Sequence, residues 1–185
     1  MTERGKQLQA TADGQIAELI DLVSTVDEAT LRLPCPGREK LGDGTVAASM
    51  RHTADNYKWI GAFVQVSDGI SGAHGATPQG GRRVRRFLRA LGHGAADHAE
   101  PGTARGQHED HYAAANIDPR AVVRQLSASR ETLGRIGELT DSQLDAIPPN
   151  GSFRFCDGQH TLEQVLASLL KHQHHQVDAL KTALA

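Results

Sequence analysis

Apolar residues recur at helical steps in four stretches of the chain. From about Lys6 to Val26, the positions Ile16, Leu19, Ile20, Val23 and Val26 fall on one face of a helix. The stretch ends at Pro34-Cys35-Pro36-Gly37, where two prolines and a glycine exclude further helix. Asp43-Gly44-Thr45 reads as a turn and N-cap opening a second helix, from Val46 to about Val64. Its seam is Val46, Met50, Thr53, Tyr57, Ile60 and Val64, spaced by alternating steps of four and three. Asp118-Pro119 opens a third helix reaching about Leu139, with Val122, Leu126, Leu133 and Ile136 inward. Thr140 to Ala146 adds a short helical turn, and Ser152 to Phe155 is expected as a brief extended piece before the Asp157-Gly158 turn. Thr161 caps a last helix that buries Leu162, Val165, Leu166, Leu169, Val177 and Leu180.

Between Ser67 and about Asn116 the periodicity lapses into Gly, Ala and His. Within it, Val84, Phe87, Leu88 and Leu91 form one apolar stripe among Arg82, Arg83, Arg85, Arg86 and Arg89. This predicts a short basic helix on a long crossover, either a solvated face or a lid presenting arginines to an anionic substrate or thiol cofactor. Short amphipathic helices are stable only when packed together, so an all-α, antiparallel four-helix bundle forming one domain over residues 1–185 is the economical architecture.

Composition narrows the functional classes. Twenty Lys and Arg nearly balance twenty-two Asp and Glu, and a near-neutral chain is a poor nucleic-acid binder. No apolar run approaches the roughly 18–20 residues of a membrane span, and the first residues lack a signal peptide's apolar segment. Two cysteines, Cys35 and Cys156, make no disulfide framework, so the expected setting is the cytoplasm. Cys35, between prolines, is a candidate reactive thiol without an evident activating base, whereas Cys156 reads as a small packing residue.

The ten histidines are concentrated, notably at His108/His111 and His172/His174/His175. At about 100° per residue, His172 and Gln176 lie about 40° apart and His175 about 60° from His172, while His174 points away. His52 lies off the main seam of the second helix, but Asn56, Trp59 and Phe63 follow it at helical steps and turn it toward a neighbouring helix. One imidazole from there and two groups from the last helix would form a three-ligand metal site with an open position for water or substrate. Histidines so clustered also occur as solvated faces. His108-Glu109-Asp110-His111 could overhang the mouth of the bundle and lend a ligand or general base, or be an exposed helix start. Asp55 falls roughly opposite the seam and is expected as a surface charge or, alternatively, as a carboxylate supporting a ligating His.

Three segments resemble the DinB-like superfamily, which includes thiol-dependent S-transferases and the N-terminal domain of mycothiol-dependent maleylpyruvate isomerase. They are Gly44-Thr45-Val46-Ala47-Ala48-Ser49-Met50-Arg51-His52-Thr53-Ala54-Asp55, Asp157-Gly158-Gln159-His160-Thr161-Leu162-Glu163-Gln164-Val165-Leu166, and the His-rich run from Leu169 to Leu180. The resemblance implies an up-down-down-up bundle, often a homodimer, with a divalent metal such as Zn, Ni or Fe. His52 matches the first ligand and His172 the second. The third, four residues later, is here Gln176, a weak zinc ligand. Three options stay open: His175 substitutes, the metal is harder, or there is none.

Two functions follow. One is a metal-dependent enzyme acting on a small molecule, by thiol transfer, isomerisation or hydrolysis, with a low-molecular-weight thiol as cofactor. Its metal would rest on His52, His172 and either His175 or Gln176, beside a substrate pocket of Asn56, Trp59, His108 and His111. The other is a non-catalytic small-molecule-binding or stress-response bundle whose metal site has decayed.

Overall fold

The computed structural model describes residues 2–71 and 112–185. The expected basic helix at Arg82–Leu91, and His108 and His111, lie outside the described residues. Among those described there are six α-helices, four of them long, and no sheet. We number them α1 (Glu3–Ser24), α2 (Glu28–Leu31), α3 (Val46–Ser71), α4 (Pro119–Leu133), α5 (Asp141–Leu144) and α6 (Leu162–Leu184). None is long and apolar enough to cross a membrane.

Local chemistry sets the ends of these helices. Thr2 accepts a hydrogen bond from the Gly5 amide (3.0 Å), with Glu3 in the first turn opposing the positive end of the helix dipole. Thr45 Oγ1 accepts from the Ala48 amide (3.3 Å) at the start of α3. Asp118 caps α4 through the Arg120 amide (2.9 Å), with Pro119 at the first helical position. Thr140 with Gln143, and Thr161 with Gln164, close capping boxes on α5 and α6.

Three boundaries differ from the pattern-based reading. The second long helix continues to Ser71 instead of ending near Val64. The third leaves α-geometry at Leu133 and tightens into a 3-10 stretch, Gly134–Glu138. Ser152 to Phe155 is turn rather than extended chain, because the Gly151 amide reaches back to the Cys156 carbonyl (2.8 Å) and closes the loop on itself.

Packing follows the predicted seams. Val46, Met50, Thr53, Tyr57, Ile60 and Val64 of α3 are all buried, as are Val122, Leu126 and Leu133 of α4 and the apolar face of α6. Each such fully buried Leu or Ile contributes roughly 1.5–3 kcal/mol relative to an exposed position. Both α1 and α3 pack against α4 and α6. At the α3–α4 contact Gly61 admits a close approach, since a Cβ there would lie 2.8 Å from Thr132 Cγ2. Inside the core Tyr57 Oη donates to Gln15 Oε1 (3.0 Å), and Gln15 Nε2 donates to the Leu170 carbonyl (3.2 Å), so one polar chain ties α3, α1 and α6. At one end of the molecule Arg4 bridges Asp141, Asp145 and Glu163, which joins the start of α1 to α5 and α6.

Two expectations about single residues are overturned. Asp55 is 8% exposed and accepts from Tyr112 Oη (3.2 Å), Gln125 Nε2 (2.7 Å) and Arg51 Nε (3.3 Å). It is not a surface charge, because Tyr112 and α4 cover that side of α3. Cys35 is 1% exposed as part of the hydrophobic core and is no accessible thiol.

Candidate ligand site on the final helix

His172 and Gln176 stand one turn apart on α6, and Gln176 Nε2 donates to His172 Nε2 (3.1 Å). That orientation requires a neutral imidazole with its proton on Nδ1. Burial lowers the His172 pKa below the ordinary histidine value, and the positive charges of Arg154 and Arg38 act in the same direction. Gln176 is buried, and its Oε1 has no hydrogen-bond partner. Such an orphan in a closed interior calls for an explanation, since leaving it unpaired costs on the order of 1–3 kcal/mol.

The loop joining α5 to α6 builds the surroundings. Phe153 turns inward and stacks on Phe63 of α3, with centroids 4.7 Å apart and planes at 11°. Two residues later Phe155 turns outward, 43% exposed, at a backbone φ of 66°. This left-handed conformation is uncommon for a bulky residue and carries strain. The Phe155 ring sits edge-on to His172 (centroids 6.1 Å), and the Arg154 guanidinium lies over its face at 5.3 Å.

Phe155 also walls a cavity of about 360 Å³, together with Cys156, Asp157, His160, Val165 and Ser168. The lining on α6 ends at Ser168, which precedes His172 by one helical turn and so lies on the same side of the helix as the His172–Gln176 pair. His160 Nδ1 lies 2.6 Å from Asp157 Oδ2. Amide hydrogen bonds, first from His160 and then from Gln159, hold the Asp157 carboxyl down at about 2. Burial pushes the Cys156 thiol up, away from the thiolate a nucleophile needs.

The remaining expected site residues are distributed differently. His52 is half-buried, with its ring edge-on to Tyr112, a residue in a turn, at 5.7 Å. Asn56 is half-buried with its amide nitrogen unpartnered, and Trp59 carries the Lys58 ammonium 5.3 Å from its ring centre. His175 is exposed, and His174 pairs with Asp178 at 3.3 Å. Among the described residues no three His, Cys, Asp or Glu side chains group where they could share an ion. Among the described residues the donors at this point are one imidazole and one amide, beside two arginines whose charge opposes a dication, and by themselves they do not make up a three-ligand zinc site.

Phe155, Arg154 and Arg38 were absent from the sequence-based site. The Gly-flanked Phe153-Arg154-Phe155 run offered a weak signal, and nothing local pointed to Arg38. Comparison with known protein families, with curated proteins and with solved structures returned no match.

Proposed function

We propose that this protein is a small-molecule-binding helical bundle of DinB-like type whose metal site has decayed. The proposal carries with it the up-down-down-up helix order that the resemblance implies. The observation behind it is the Gln176 amide engaged with the His172 imidazole nitrogen that a metal would need. The ligand site is the α6 face running from the cavity beside Phe155 to that pair.

A second reading, the metal-dependent enzyme, draws on the same orphaned Gln176 oxygen. With the amide turned over, a neutral imidazole and a carbonyl oxygen would form a donor pair toward a cation. Metal analysis decides between them. Under the binding reading, purified protein carries trace metal that is unchanged in His172→Ala. Gln176→His, which creates an i,i+4 imidazole pair, gains zinc. Stoichiometric metal in the wild-type protein, lost in both His52→Ala and His172→Ala, refutes the binding reading in favour of the enzyme.

A further inference from the structure

The charge around His172 is one-sided. Arg38 is half-buried, and Glu39, its neighbour in sequence, is turned away to accept the Gly37 amide (2.8 Å). Among the described residues neither Arg38 nor Arg154 has a carboxylate partner. Both act on the His172 imidazole as positive charges. A half-buried guanidinium without a counter-ion is an unfavourable arrangement that an anion would relieve. Asp157, the acid lining the cavity, is already engaged by two backbone amides and by His160.

Beside this charge lies an apolar surface. Phe155 is held outward by a strained backbone, with one edge toward His172 and the cavity next to it. A partly exposed aromatic ring with the Arg154 guanidinium over one face, a cavity partly walled by Val165 and Cys156, and a second positive charge from Arg38 suit a ligand with a flat apolar body and an anionic end.

We propose that the site binds a small organic carboxylate: its flat body stacks on the free face of Phe155 and enters the cavity, its carboxylate is held by Arg154, and the charge of Arg38 adds attraction. This rests on the binding reading above and adds the class of ligand. The His172–Gln176 pair then closes the inner end, where the Gln176 amide can turn to meet a donor or an acceptor.

The test uses three probes on the full chain: benzoate, the neutral isostere benzamide, and acetate, which has the charge but no ring. Backbone amide NMR and thermal shift report binding and its location. Benzoate is expected to shift the amides of Phe155, Val165 and Ser168 and to raise the melting temperature, with benzamide and acetate about tenfold weaker. Arg154→Gln and Arg38→Gln each weaken benzoate about fivefold and leave benzamide unchanged, and Arg154→Lys recovers part of the loss. Arg154 is exposed, so this variant keeps the fold, which circular dichroism verifies. If benzoate and benzamide bind this face equally and the arginine variants change nothing, the carboxylate inference fails while the binding reading stands. If no probe perturbs this face, or benzoate shifts only amides elsewhere, both fail.

Discussion

Replacing Phe155 separates two contributions that its position combines. The ring is a little more than half covered, so truncation to alanine forfeits about 1–1.5 kcal/mol of burial, half the value of a fully buried aromatic. The backbone at φ 66° works the other way. A β-carbon in the left-handed region costs about 1–2 kcal/mol, which only glycine avoids. In ordinary conformations glycine is less stable than alanine by about 0.5–1 kcal/mol, through its larger unfolded-state freedom. The difference leaves Phe155→Gly more stable than Phe155→Ala by roughly 0.5–1 kcal/mol, a reversal of the usual order. At this chain length that is about 1–4 °C in melting temperature, and urea unfolding with unchanged m-value measures it directly. Arg154→Ala and Arg154→Gly are the control, since Phe155 is the one non-glycine residue with positive φ among those described. There alanine is expected to win. Alanine winning at both positions would refute the strained-loop reasoning. Both Phe155 variants lose the stacking surface, so benzoate binding is expected to fall in each. The strain would then be what holds an aromatic face toward a ligand.

Asp55→Ala removes a carboxylate that serves Tyr112, Gln125 and Arg51 and leaves their donors covered; a loss of about 3 kcal/mol is expected by urea unfolding, and Asp55→Asn should lose less because one acceptor oxygen remains. A loss below about 0.5 kcal/mol would return Asp55 to the solvated face the helical wheel assigned it. Asp157 supplies a pH dependence. Its folded carboxyl titrates at about 2, below the ordinary aspartate value of 3.8, so its contribution is present above about pH 4 and disappears as the pH falls through 2. The melting temperature of the wild-type protein should therefore drop more steeply between pH 4 and 2 than that of Asp157→Asn, and parallel curves would show that its amide contacts are not maintained in solution.

The inward faces of α1, α3, α4 and α6 were legible because helical repeat is a local property: a seam such as Val46–Met50–Thr53–Tyr57 is written in consecutive turns. Caps at Thr45, Asp118 and Thr161 were legible for the same reason, since donor and acceptor lie within three residues. So was the His172–Gln176 pair, one turn apart on one helix. Asp55 was misjudged because a wheel drawn on α3 alone cannot include Tyr112 and Gln125, which reach it from 57 and 70 residues away. Phe155 was missed because its φ arises where the α5–α6 loop must place Phe153 on Phe63 and still enter the Thr161 cap. The charge of Arg38 acts on His172 only because the loop after α2 and the last helix are folded against the same core. Periodicity records how each helix winds, one turn at a time. Which charges gather at a common point depends on loop paths and packing between segments far apart in the chain, and no local spacing encodes that.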